Sequence, residues 1–285
     1  MSGKFDTVAA QCSATKRQQA LNADGSIRKP AIARANVAVS TERPDGIEAY
    51  TEQFEDYTVL QQHILFWDRD CNGQIYPWHT YVGFRELGFG IPFSLFAMII
   101  IHAGFSYPTR LAYSYIPDPW FRLFVGGIHK GKHGSDSGTY DREGRFVPQA
   151  FEDMFSKWDS GDKGALSVWE LWNMITGHRV AMDPFGWSAG VFEFGTTFLL
   201  VQENGVVSKE DMRRIYDGSI FWHIRALKRK DRTWNKGFGL RNMFTAASKG
   251  LDQAYLRVQQ ASSALMDFGE KTASSWHTRG HKQRV

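Results

Sequence analysis

The chain has 285 residues, 42% hydrophobic and 14% aromatic, with 34 Lys+Arg against 30 Asp+Glu and a formal net charge of +4. That length suits one large domain or two small ones of roughly 100–200 residues, and the aromatic content excludes wholesale disorder, collagen and plain linkers. The small basic excess comes with no aromatic-basic motif of an RNA-binding sheet and no zinc-finger spacing, so nucleic acid is excluded as a partner.

Cys12 and Cys71 fall far below the density of a disulfide scaffold, which predicts a reducing compartment. Residues 1–50 are rich in small, polar and basic residues, with turn signals at Lys29-Pro30 and Arg43-Pro44-Asp45-Gly46. They read as a flexible arm, and the first 20 residues lack the apolar centre of a signal peptide, so a cytosolic start is expected. Residues 51–88 form a helix–loop–helix unit. Val59, Leu60, His63, Ile64, Phe66 and Trp67 recur at helical spacing up to Asp68, and a second run includes Trp78, Tyr81, Val82, Phe84 and Leu87.

The most apolar stretch covers 89–105, without Asp, Glu, Lys or Arg. At about 1.5 Å per residue its 17 residues reach roughly 26 Å, short of the ~30 Å hydrocarbon core. A buried core helix, burial in lipid from one side, and full spanning are the readings. Pro108, Pro117 and Pro119 follow and are expected to break any helix, closing a hydrophobic segment at 89–119. In the region 120–227, residues 126–144 read as loop, and helices are predicted over 149–158, 168–176 and 185–200, with Ser208 and Asp211 as a helix start. Residues 228–285 read as a basic extension in which Leu251, Tyr255, Val258, Leu265 and Phe268 form an amphipathic helix. Such a tail is either simply solvated or lies on an anionic lipid surface.

Between the first two helices, Asp68, Asp70 and Asn72 stand at positions 1, 3 and 5 of a calcium loop, with Gly73 at 6, the carbonyl of Gln74 at 7 and Ile75 at 8. Position 12, where a bidentate glutamate belongs, is His79, which weakens calcium unless Glu86 or water substitutes. Weak calcium binding and a loop kept for its shape are both open. The stretch 159–170 fits positions 1, 6, 8, 9 and 12 but has Lys163 at position 5, so a degenerate second hand is expected to pair with the first. Residues 204–211 are a fainter remnant.

On the residues alone, His63 reads as a core histidine and His129 with His133 as a loop feature. Haem ligation or acid–base work is the functional alternative, and without a c-type attachment motif any haem is non-covalent.

The string Val59-Leu60-Gln61-Gln62-His63, the loop from Asp68 to Gly73 and Ile75-Tyr76-Pro77-Trp78 resemble the caleosins, calcium-loop peroxygenases of lipid droplets. The likeness continues through Ser106-Tyr107, 129–140, Phe155-Ser156-Lys157, Leu166-Ser167 with Glu170-Leu171-Trp172, 183–187 and 213–221. The basic tail suggests a fungal-type member. The resemblance implies a mainly α, EF-hand-like fold with a hydrophobic membrane-inserting segment and a proline knot. It implies haem b held by His63 and His133, with calcium in the loop. It further implies oxygen transfer from fatty acid hydroperoxides to unsaturated fatty acids at a lipid droplet monolayer or endoplasmic reticulum membrane, with homo-oligomers allowed. If both histidines held iron throughout turnover, no position would remain for the hydroperoxide, so one is expected to leave or act as a distal acid–base group, and His133 is the expected one. The rival reading is a non-catalytic calcium-binding coat protein of lipid droplets. A calcium sensor is disfavoured by His79.

Overall fold

A computed structural model describes residues 7–9, 11–12, 14–15, 17–230 and 236–237. The amphipathic helix expected over 251–268 lies outside them. The described chain is mainly helical. Short α1 (Glu48–Gln53) precedes α2 (Val59–Leu65), whose start is fixed by a capping box: the Thr58 hydroxyl accepts from Gln61 N while the Gln61 side chain accepts from Thr58 N. After the loop come β1 (Gln74–Ile75) and α3 (Pro77–Leu87), which opens on proline and ends at Gly88 with φ 102°.

Helix α4 (Ile91–Arg110) is turned inside out. Its buried positions are Ser94, Ala97, His102, Ser106 and Thr109, whereas Ile91, Leu95, Phe96, Ile99 and Ile100 are exposed. His102 pins it down: Nε2 meets the Thr80 hydroxyl at 2.7 Å and Nδ1 donates to the Phe121 carbonyl at 2.6 Å. Contrary to expectation, Pro108 does not end the helix, which runs on to Arg110. Its ring keeps a helix-compatible φ and removes one hydrogen bond, that to the carbonyl four residues back, and the helix ends two residues later.

The remaining elements are β2 (Leu123–Phe124), a 3-10 turn at Val125–Gly131, α5 (Pro148–Trp158), β3 (Ala165–Ser167), α6 (Val168–His178), α7 (Pro184–Val201), β4 (Val206–Ser208), α8 (Lys209–Tyr216) and α9 (Ser219–Arg229). Strand pairing corrects one expectation. The degenerate hand at 159–170 does not pair with the first loop; β3 pairs antiparallel with β4 of the fainter remnant, Leu166 opposite Val207. β1 pairs instead with β2, Ile75 opposite Leu123. Burial explains the split. Leu166 and Val207 belong to the main core with Phe66, Phe151, Met174 and Met212, while Ile75 and Leu123 join a smaller cluster with Ile64, Leu65, Val125 and Ile128.

The arm read as flexible is in fact fastened from Gln18 onward, where the Gln18, Ala20 and Pro30 carbonyls accept from Ser156 and Gln149 of α5 and Ala23 and Ile27 are buried. Arg34 and Phe146 exchange backbone hydrogen bonds, and Ala38, Val39 and Ser40 are buried. Its carbonyls satisfy donors of the helices: Ala35 accepts from Val59 N, Asn36 from the Gln62 amide and Ala38 from the Arg213 guanidinium. Likewise the basic run from Lys228 begins inside α9, which buries Ile220, Phe221 and Ile224.

Candidate haem cavity and the calcium-type loops

One apolar cavity of about 250 Å³ lies between α2, α3, α4 and α7, and both His63 and His133 line it. Trp67, Phe105, Glu193 and Tyr216 are among its other walls. The structure therefore brings together the two histidines that the sequence separates by 70 positions.

His63 is carried by α2. Its Nδ1 lies 2.6 Å from the Ile215 carbonyl, which can only accept, so Nδ1 carries the hydrogen and Nε2 keeps its lone pair. Burial holds its pKa below the ordinary imidazole value, which preserves the neutral, ligand-competent ring. Gly218 backs it: φ is +76°, and a Cβ there would lie 2.8 Å from His63 Cα.

His133 follows the 3-10 turn and stands between two carboxylates. Asp183 Oδ2 is 3.9 Å from Nδ1 and Glu193 Oε2 is 3.8 Å from Nε2. Burial opposes the charged ring, but Glu193, helped by Asp136 and Asp183, outweighs it and raises the pKa. Asp183 also caps α7 through Gly186 N at 2.9 Å and holds the histidine loop through Ser135 N and Oγ at 2.8 and 2.7 Å. Only glycine fits at 186, where a Cβ would press on Asp183 and come 2.6 Å from His133 Nδ1. His129 lies outside the cavity lining.

Haem needs an imidazole nitrogen for iron and apolar walls for the macrocycle. The free Nε2 of His63 and the aromatic lining fit that group, whereas His133 Nδ1 packs against Gly186 and Asp183. Sequence reasoning missed Glu193, Ile215 and the backing glycines. Glu193 had a readable signal as the lone charge of the 18-residue α7, whereas the others act through backbone.

The first loop keeps its expected shape: Asp68 accepts from Asn72 N (3.2 Å) and Gly73 N (2.8 Å), and Asn72 Oδ1 accepts from Gln74 N (2.9 Å). Its donor set does not fit a full calcium site. His79 Nε2 lies 3.4 Å from Asp70 Oδ2. Glu86, the possible substitute for position 12, is engaged by both Arg69 nitrogens at 3.0 and 3.1 Å. Among the described residues no group of three or more His, Cys, Asp or Glu side chains is arranged to hold a metal.

In the second loop the Lys163 ammonium sits where a cation would, 2.5 Å from Asp159 at position 1 and 3.0 Å from Glu170 at position 12. Burial works against charge on Glu170, but hydrogen bonds from Ser160 and Ser167, with Lys163, pull its pKa down to about 2.

A family profile described as caleosin related protein matches residues 55–225. A peroxygenase of Lilium longiflorum is 39% identical over 217 residues, 75% of this chain and 89% of that protein. Probable peroxygenase 4 of Arabidopsis thaliana is 39% identical over 59% of this chain and 85% of its own length. A probable inactive peroxygenase-like protein of the same plant is 32% identical over 50% of this chain and 67% of its own. No solved structure matches the chain.

Proposed function

Because the chain belongs to the caleosin family, we propose that it is a haem peroxygenase working at a lipid surface, moving oxygen from fatty acid hydroperoxides to unsaturated fatty acids or similar acceptors. The observation that carries this reading is His63, its Nδ1 spent on the Ile215 carbonyl, sharing one apolar cavity with His133.

Haem b, when bound, supplies the cleavage of the O–O bond and the oxygen transfer. His63 would hold the iron through Nε2, its ring orientation fixed by the Ile215 carbonyl. His133 differs in kind, because both of its nitrogens face carboxylates. Glu193 and Asp183 orient its ring and favour the protonated form, so His133 holds a proton at Nε2 for the departing alkoxide oxygen. Phe105, Trp67 and the other apolar walls keep bulk water from the reacting oxygens. Calcium enters no step, since the loop's donors fall short of a full site; its part here is the shape joining α2 to α3.

The inverted face of α4 supports attachment to a lipid droplet monolayer or endoplasmic reticulum membrane. Ile99 is 61% exposed while Ser94 and Ala97 are fully covered, which suits a helix lying against acyl chains from one side. The test is an absorption spectrum of detergent-purified protein supplied with hemin. Wild type gives a Soret band and His63→Val does not; a normal haem spectrum in the variant removes His63 from the site. The coat-protein reading, towards which the likeness to a probable inactive peroxygenase-like protein leans, requires wild type that stays colourless and consumes no hydroperoxide.

A further inference from the structure

We propose that α7 is a second lipid-contacting helix, forming with α4 one continuous surface that rests on acyl chains. The proposal builds on the lipid reading of α4. The two helices pack antiparallel: ring centroids of Phe105 and Phe185 are 5.3 Å apart at one end, and Phe93 and Phe96 meet Phe192 at 6.3 and 6.2 Å towards the other.

The first turns of α7 repeat the inversion of α4. Gly186, Ala189 and Gly190 are buried there while Phe185, Trp187, Ser188 and Val191 are exposed; Gly195 continues the outward stripe, and only the last turns bury Thr197, Leu200 and Val201. Nothing on this outward stripe is charged. Its polar atoms are already spent inside the protein: the Ser188 hydroxyl donates back to the helix, with the Phe185 carbonyl at 2.8 Å, and Trp187 Nε1 donates to the Val180 carbonyl at 2.8 Å. A surface that needs no hydrogen bonds from its surroundings suits hydrocarbon better than water. Beside the joined ends of the two helices, Tyr115 and Met182 are 87% and 94% exposed, with Tyr113 and Trp120 close to them in sequence, the amphipathic aromatic setting of a membrane–water boundary.

Acyl chains are favoured over a second copy because this surface continues that of α4 and because the cavity reaches the seam. Phe105 of α4 and Phe192 of α7, which each meet a ring of the other helix, also line the cavity. A site that processes acyl chains then has its edge within the lipid-facing surface.

The test is flotation of full-length protein with phospholipid-coated triacylglycerol emulsion. Trp187→Glu/Val191→Glu is compared with wild type and with Phe96→Glu/Ile99→Glu in α4; none of these residues lines the cavity. A single Val191→Arg variant serves if the double variant melts early. The expected result is a loss of co-flotation of about tenfold for the α7 variant, with hemin uptake and detergent-solution mass unchanged. If the α7 variant floats like wild type while the α4 variant does not, the α7 proposal fails and the α4 reading stands. If both float normally, both fail. A fall from dimer to monomer with flotation retained identifies the occupant as a second copy and overturns the proposal.

Discussion

Replacing Lys163 by methionine removes the one cation between Asp159 and Glu170 while keeping most of the side-chain volume. Breaking a buried ion pair costs roughly 3–5 kcal/mol, and an exposed pair is worth about 0–1 kcal/mol. Here the lysine side chain is 36% exposed but its partners only 4% and 5%, so the expected loss is about 2 kcal/mol. At 2–4 °C per kcal/mol for a chain of this size, Tm falls by about 4–8 °C in calcium-free buffer, followed by circular dichroism. Glu170 gives a second readout. Its folded pKa near 2 lies below the ordinary carboxylate value of about 4.3, so in wild type its contribution is full above pH ~4.3 and is lost as pH falls towards about 2. Without the ammonium the folded pKa rises and this acid-dependent part shrinks. A Lys163→Met protein melting within about 1 °C of wild type, with the same acid profile, refutes the claim that the lysine acts as a built-in cation.

In the first loop, His79→Glu restores the bidentate position-12 ligand, and calcium affinity should rise by about tenfold or more in calorimetric titration; unchanged affinity shows that His79 is not what limits the site. His102 is buried, which lowers its pKa to about 4 and keeps it neutral between Thr80 and Phe121. The unfolded chain takes up that proton near pH 6.5, so this contribution is full above ~6.5 and declines by up to about 3 kcal/mol as pH falls to ~4. His102→Gln should flatten that part of a Tm-against-pH curve, and an unflattened curve assigns the acid loss elsewhere.

Much of the helical pattern was legible because it is local. Spacing of Val59, Ile64 and Phe84, the prolines opening α3, α5 and α7, and the Ser208 cap all act within a few residues. The first loop was legible for the same reason. What could not be read depends on distant partners. β1 lies beside Leu123 rather than Leu166 because α4 and the chain after it return Leu123 to the cluster around Ile75. Arg34 looked like part of a loose arm because its partner is Phe146. His63 read as an ordinary core residue because its meaning lies in a carbonyl 152 positions away.

The ladder of two residues between β1 and β2 has a mechanical consequence. From Ile75 the chain runs back through the loop to His63, and from Leu123 it runs forward through the 3-10 turn to His133. This tiny clasp thus ties the backbones bearing the opposing imidazoles, so a shift in the loop is delivered to both sides of the chamber at once. The other two hands, joined to each other through β3 and β4, are bypassed.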